Sequence, residues 1–303
     1  MIKLENIKKL FNKNQNKGLV VLSLFDGISC GQVALERAGI KVQKYYASEI
    51  DKNAIQITQK NFPNTIQLGD VRSVDTNNLP EIDLLIGGSP CQDLSCCGKR
   101  EGLNGKKSSL FFEYLRILKE IKPKYFLLEN NASMASEIKE FISSQLECSY
   151  IEINSNLLSA QNRRRLYWTN IPNVQLPDDK KIFLKDILQP IEDKKEFDCT
   201  QRLWAKKKGT MAYTKAWGHI CNLNQKSRCL TTGNTLSCSG STIVKYSDSM
   251  FFLLSPIERE RLQTLPDDYT AGVSNTQRYK QTGNGWTVDV IAHIFKGLKN
   301  DSN

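Results

Sequence analysis

Residues 82–95 read I-D-L-L-I-G-G-S-P-C-Q-D-L-S. Ile82, Leu84, Leu85 and Ile86 make a short apolar run of strand length. Gly87 and Gly88 end it, and Pro90 stiffens the exit. Cys91 follows at once, so a buried strand hands a thiol to a loop at its C-terminal end. In open α/β sheets that is where ligands bind and chemistry occurs. An arbitrary cysteine is more often a small buried hydrophobe; the Gly-Gly-Ser-Pro lead weakens that reading here.

The same arrangement repeats upstream. Residues 19–25 form an apolar strand, and Phe25-Asp26-Gly27-Ile28-Ser29-Cys30-Gly31 then opens a helix running to about Ala38. Glycines after a strand let the backbone approach a ligand, with helix N–H groups aimed at it. The spacing is not G-x-G-x-x-G, so NAD and FAD are not indicated. Residues 42–48 form a second strand ending at Glu49-Ile50-Asp51, where an acid is placed for ribose hydroxyls. A helix follows over 51–60. Residues 65–68 form a third strand ending at Gly69-Asp70-Val71-Arg72, with Asp70 where an adenine amino group could be read. Each acid alone would serve as a cap or a turn. Asp26, Glu49 and Asp70 at three successive strand ends point instead to a nucleoside site.

Beyond the cysteine strand, residues 93–108 form a polar loop containing Cys96, Cys97, Lys99, Arg100, Lys106 and Lys107. It is long for a connection, and such loops are often lids. Residues 110–121 read as an amphipathic helix and 123–128 as a fifth strand, with Glu129-Asn130 at its end. A carboxylate there, beside the cysteine strand, can hydrogen-bond a bound base. Residues 149–155 and 164–169 add two strands, the second entered through Gln161-Asn162-Arg163-Arg164-Arg165. A run of three cations is usually a solvated face, but Leu166-Tyr167-Trp168 makes this one continuous with a buried strand. Alternating strands and helices specify a doubly wound, mostly parallel α/β sheet.

From Pro172 to Met250 the regularity stops. The segment is rich in Lys, Asn, Ser, Thr and Gly, and Trp204, Lys206, Lys207, Lys208, Tyr213, Lys215 and Trp217 interleave cations with aromatics. That mixture suits phosphate and base contacts; the plainer alternative is an irregular insertion with a basic surface. A helix over 256–262, a turn over 263–269 and a helix over 286–298, preceded by Gly283-Asn284-Gly285, complete the chain.

The chain has 303 residues and a formal net charge of +10, with Lys and Arg spread along it, which suits a polyanion. Nine cysteines include no C-x-x-C pair, and only two histidines are present, so no metal site is expected. The polar, basic 1–17 lead has no signal or membrane character, so reduced thiols and a cytoplasmic location are expected. Scarce histidine leaves acid–base work to carboxylates or water.

Taken in order, F-D-G-I-S-C-G at 25–31, G-G-S-P-C-Q at 87–92, E-N at 129–130, Q-N-R-R-R at 161–165, L-S-P-I-E-R-E-R-L-Q-T-L-P-D-D-Y at 254–269 and G-N-G-W at 283–286 resemble the ordered motifs of the DNA (cytosine-5) methyltransferases. D-V-R-S-V at 70–74, L-F-F-E at 110–113 and the tryptophan of G-N-G-W look like the animal de novo branch, in a chain of bacterial or phage type. The family's E-N-V is E-N-N here, with Asn131 in place of valine, which should touch packing more than chemistry.

The resemblance implies a seven-stranded class I methyltransferase fold. It implies a catalytic domain over 1–171 and 251–303, a target-recognition domain over 172–250, and S-adenosyl-L-methionine as donor, leaving S-adenosyl-L-homocysteine. Phe25–Gly31 would wrap the donor's amino-acid part, Glu49 and Ile50 its ribose, and Asp70, Val71 and Arg72 its adenine. Ser89, Pro90, Leu110, Asn284, Gly285 and Trp286 would complete the wall. It also implies a cytosine flipped from duplex DNA, attacked at C6 by Cys91. Glu129 and Arg163 would offset charge on the ring, and Arg165 would orient the loop and thiolate. DNA contacts would come from Gln92, Ser95, Gln161, Arg202, Lys206, Lys207, Lys208, Lys215 and Arg228. The enzyme would act as a monomer, and a cognate restriction endonuclease is an open partner.

Two rivals differ at particular residues. An RNA-acting relative would read P-C-Q-P-F-T after the cysteine, and this chain reads P-C-Q-D-L-S. A silent DNA-binding regulator on this fold would have lost the cysteine or glutamate, and both are kept. The D/N-P-P-Y/F motif of adenine-N6 methyltransferases is absent.

Overall fold

The computed structural model describes residues 18–89, 109–236, 238 and 240–300. The lead at 1–17, Pro90, Cys91, Gln92, Ser95 and the rest of the 93–108 loop lie outside the described residues.

The first half alternates as its apolar runs require. The order is β1 (Leu19–Leu24), α1 (Cys30–Ala38), β2 (Val42–Ser48), α2 (Lys52–Asn61), β3 (Ile66–Gln67) and β4 (Leu84–Gly87). Then come α3 (Ser109–Ile121), β5 (Tyr125–Asn131), α4 (Ser136–Leu146), β6 (Tyr150–Asn154) and β7 (Arg164–Thr169). Asp51 caps α2 by accepting from the Asn53 N–H at 2.9 Å. Gly39 ends α1 at φ 68°, a left-handed conformation that glycine adopts without strain.

The seven strands lie in the order β3-β2-β1-β4-β5-β7-β6. β1 to β5 are parallel, and β7 runs antiparallel between β5 and β6. Strand alternation supplies a core on each face. Val20, Leu22, Leu24, Leu85 and Leu128 pack with Phe111 and Tyr114 of α3 and Ile142 of α4. Val21, Leu84, Ile86 and Leu127 pack on the other side with Ala34 and Leu35 of α1. The order reverses between β1 and β4, so their C-terminal ends border the crevice where doubly wound sheets bind ligands.

Two strand boundaries that differ from the sequence expectation bear on the site. β3 is only two residues long. β5 runs on to Asn131, because β7 pairs Glu129 with Tyr167 and Asn131 with Arg165. Glu129 therefore stands inside the strand, beside the arginine run.

Residues 172–253 are more regular than expected. α5 (Thr200–Trp204) and α6 (Met211–Trp217) precede β8 (Ile220–Asn222), β9 (Ile243–Ser247) and β10 (Met250–Leu253). The three strands form a second sheet in the order β10-β9-β8. Cys199, Leu203, Ala216, Ile243, Phe251 and Leu253 form its core, so this body continues past Met250. Tyr213 and Trp217 do not stand free among the lysines. Their rings are 5.4 Å apart, Trp204 lies 4.9 Å from Trp217 and Phe251 5.9 Å from it. Of the three, Trp204 is the exposed one, at 57%.

The chain returns through α7 (Pro256–Leu262), α8 (Asn275–Asn284), α9 (Val288–Phe295) and α10 (Gly297–Asn300). Ser255 and Glu258 form a capping box at the start of α7. Glu258 also accepts from Lys194 at 2.5 and 2.7 Å, an ion pair with both side chains fully buried. Val288, Ile291 and Phe295 of α9 join the core beside α1. Among the described residues no helix is long and apolar enough to cross a membrane.

Candidate active site

A cavity of about 720 Å³ opens at the C-terminal ends of the central strands. Phe25, Asp26 and Gly27 line it after β1, Glu49 and Ile50 after β2, and Asp70, Val71 and Arg72 after β3. Gly88 and Ser89 follow β4, Leu110 belongs to α3, and Asn284, Gly285 and Trp286 close the C-terminal side. Glu129, Arg163 and Arg165 border the same space. Sites expected from separate stretches of sequence thus share one cavity.

The first turn is strained. Phe25, Gly27 and Ser29 have φ of 57°, 59° and 55°, and only the glycine takes this conformation freely. Asp26 is held by Tyr45, whose hydroxyl donates at 2.8 Å, and by the Ser29 hydroxyl. Burial pushes its carboxyl up to about 6, against the hydrogen bonds from Ser29, Ser23 and Tyr45. Glu49 accepts from the N–H groups of Gly27, Ile50 and Asp51, each at 2.8 Å. Three bonds leave part of a carboxylate's acceptor capacity toward the cavity. Glu49 also pins the Asp26–Gly27 turn to the end of β2, a role the motif does not reveal. Asp70 caps residues 71–73 and pairs with Arg72, whose hydrogen bonds hold its carboxyl down at about 2.

Three residues expected in the wall stand behind it instead. Ile28 is a core side chain, 1% exposed. The Ser29 hydroxyl is spent on Asp26, and a Cβ at Gly31 would come within 2.5 Å of Ile86. They shape the turn and do not line the cavity.

At the other end Glu129 is gripped from both sides. Arg165 Nε lies 2.9 Å from Oε1, and Trp286 Nε1 donates to Oε2 at 3.1 Å. Burial works against the Arg165 charge, but Glu129 and Cys229 hold its pKa above the ordinary value. Arg163 departs from expectation. Its Nη1 donates to Leu230 O at 3.1 Å and to Cys229 Sγ at 3.5 Å, and its Nη2 to Gly283 O and Gly285 O at 3.1 and 2.9 Å. These bonds make Arg163 a tie between segments. Asn130 reaches Ser89 Oγ at 3.4 Å and so steadies the root of the P-C-Q segment.

Gln161 is a correction. It is fully buried, donates to Leu262 O and Gln263 Oε1 at 3.2 Å, and accepts from the Leu230 N–H at 2.9 Å. A side chain so committed does not meet DNA. Arg202, Lys206, Lys207, Lys208, Lys215 and Arg228 lie at or near the surface of the 172–253 body, and none lines the cavity. Sequence reading missed Gly88, Asp51, Lys280 and Gln281, all in the wall. Lys280 and Gln281 both bind Asp51 across the rim, at 2.7 and 3.0 Å. They ride on α8, whose Ser274-x-x-Gln277 start is a legible cap. Among the described residues no cluster of His, Cys, Asp or Glu could hold a metal.

The wall fits S-adenosyl-L-methionine. Asp26, Glu49, Asp51 and Asp70 offer carboxylates to a cationic ligand with ribose and amino groups. At Gly27 and Gly69 a Cβ would project into open space, leaving room for close approach to the backbone.

Residues 19–300 match the family model for C-5 cytosine-specific DNA methylases. The Type II methyltransferase M1.ScrFI of Lactococcus lactis subsp. cremoris is 31% identical over 95% of this chain and 80% of its own length. The Type II methyltransferase M.NlaX of Neisseria lactamica is 30% identical over 92% of this chain and 96% of its own. Among solved structures, the Entamoeba histolytica methyltransferase EhMeth superposes with a TM-score of 0.79 at 18% identity, covering 95% of this chain and 100% of that one. The Dnmt2 methyltransferase of S. pombe gives 0.70 at 19% identity over 93% and 99%. At such identities the structural likeness speaks to the fold alone. The family match and the relatives at 30% identity or more speak to kinship: the chain belongs to the C-5 cytosine-specific DNA methylases and is a DNA cytosine-5 methyltransferase.

Proposed function

We propose that this enzyme uses S-adenosyl-L-methionine to methylate C5 of a cytosine flipped out of duplex DNA at a short specific site, through a covalent bond between Cys91 and C6. The observation that carries this reading is the meeting of two groups around one cavity. The acids Asp26, Glu49 and Asp70 stand at one end, and the Glu129–Arg165 pair stands at the other, beside Ser89 at the root of the P-C-Q segment.

Cytosine C5 is a poor nucleophile. Addition of the Cys91 thiolate to C6 makes C5 enamine-like, with negative charge spread toward N3. Glu129, carrying or sharing a proton, donates toward N3 and offsets that charge, while Arg165 holds the carboxylate in place. When bound, S-adenosyl-L-methionine supplies the electrophilic methyl group that C5 takes up. A water removes the C5 proton and the ring electrons expel the Cys91 thiolate, restoring the enzyme. Glu49 would bind the ribose, Asp70 the adenine side, and Phe25, Asp26, Gly27 and Cys30 the amino-acid part of the donor. Asn284–Trp286 would cover it.

Residues 172–250 are proposed as the target-recognition domain on the 1–171 and 251–303 catalytic domain, with Arg202, Lys206–Lys208, Lys215 and Arg228 toward DNA. The enzyme is proposed to act as a monomer in the cytoplasm. The decisive experiment uses DNA carrying 5-fluorocytosine, whose C5 substituent cannot leave as a proton. The wild-type enzyme should form an adduct that survives denaturation, and Cys91→Ala should form none. A Cys91→Ala enzyme that still methylates DNA would overturn the mechanism.

A further inference from the structure

We propose that Trp286 is a positioning residue that ties the cofactor wall to the orientation of the Glu129 carboxylate. The proposal rests on the reading of Glu129 given above. Trp286 touches both halves of the site. Its backbone passes the thiol of Cys30 in the first glycine turn, where a Cβ at the preceding Gly285 would stand 3.3 Å from the sulfur. Its indole lies between that turn and the exit of β4. A Cβ at Gly31 would meet the ring at 3.7 Å, and one at Gly88 would stand 3.0 Å from Nε1 and 2.9 Å from Glu129 Oε2. The second glycine of G-G-S-P-C-Q therefore leaves space for a bond made by a residue about two hundred positions later.

The bond itself is Trp286 Nε1–H to Glu129 Oε2 at 3.1 Å, with Arg165 on the other oxygen at 2.9 Å. An indole N–H can donate and cannot accept, so it holds the carboxylate in one sense only. With one oxygen on each donor, the plane of the carboxylate is set. Because the same ring walls the cavity, a ligand seated there packs against the group that aims Glu129.

The test uses the full chain. In Trp286→Phe the ring stays and the donor goes. We expect kcat to fall by roughly tenfold or more, with the KM for S-adenosyl-L-methionine changed by less than about threefold. Gly88→Ala keeps both residues and wedges them apart, and should give the same split. The indole 15N–1H resonance of Trp286, identified by its loss in Trp286→Phe, should shift in Glu129→Gln without any substrate. A residue that only fills space would raise the cofactor KM and leave that resonance unmoved by Glu129→Gln; either result overturns the proposal. A wild-type chain that transfers no methyl to DNA would overturn the assigned reaction, while the indole resonance alone still decides the Trp286–Glu129 link.

Discussion

Arg163 and Arg165 both act on the sulfur of Cys229, to which Arg163 donates at 3.5 Å, yet they serve different ends of the site. Arg165 turns to the Glu129 carboxylate, and Arg163 turns to the carbonyls of Leu230, Gly283 and Gly285. Their losses should therefore separate. Arg163→Ala orphans three carbonyls and should cost on the order of 3 kcal/mol of stability. Arg165→Ala strands the buried Glu129 carboxylate, so it costs stability as well, but it alone should lower kcat by about a hundredfold. Denaturant unfolding and steady-state kinetics on both variants check this. An equal loss of kcat in the two at matched stability would contradict the division of labour.

The same sulfur has an unusual environment. Burial pushes the Cys229 thiol up, but Arg163 and Arg165 more than offset it and leave its pKa below the ordinary value. Burial lifts Cys30 to about 12 and Cys199 to about 11. In a Cys91→Ser background at neutral pH, a small alkylating reagent should label Cys229 well before Cys30 or Cys199. Mass spectrometry of peptides over time reads the order directly, and earlier labelling of Cys30 would refute it.

Asp26 makes stability depend on pH in a stated direction. Its carboxyl titrates near 6 in the folded chain against 3.8 unfolded, so between those values the folded state holds the extra proton. Its contribution is then greatest at low pH and is lost as pH rises through about 6. Asp26→Asn should gain stability relative to wild type between pH 5 and pH 7.5, by on the order of 1–3 kcal/mol. The difference between the two unfolding curves across that range is the measurement, and a pH-independent difference would count against it. A cationic donor bound beside Asp26 should likewise bind less well below about pH 6.

Much of this was legible before any coordinates. The apolar runs of β1, β2 and β4 announce buried parallel strands, and the acids at their ends fall in one cavity because parallel strands end on one side. The extension of β5 was not legible, since it depends on pairing with an antiparallel neighbour 38 residues ahead, Glu129 with Tyr167. Helix α8 escaped because N-T-Q-R-Y-K-Q-T-G-N buries Gln281, Thr282 and Gly283 and carries no apolar stripe. Helix α4 was passed over although it does carry one, with Ile138, Phe141, Ile142 and Leu146 at helical spacing. Within the site, motifs marked which residues matter and not what each one holds. Gln161 sits in a charged run and is buried, because its amide organises residues 230 and 262 from distant parts of the chain. Trp286 was read as cofactor wall, but its N–H answers to Glu129, 157 residues away.

The buried pair of Lys194 and Glu258 bears on where the segment proposed to read DNA could be exchanged for another. Lys194 lies within the segment proposed to read DNA, and Glu258 lies in the first turn of α7, beyond it. A crossover at residue 250 would inherit the lysine from one parent and the glutamate from another. Should either parent lack its half, a buried charge would be stranded, a loss of about 3–5 kcal/mol. It would also split β10, which begins at Met250 and pairs with β9. If the 172–250 segment reads DNA, the unit that must be exchanged with it is longer than the segment itself, reaching through the capping box at Ser255 and Glu258 before a clean junction is available.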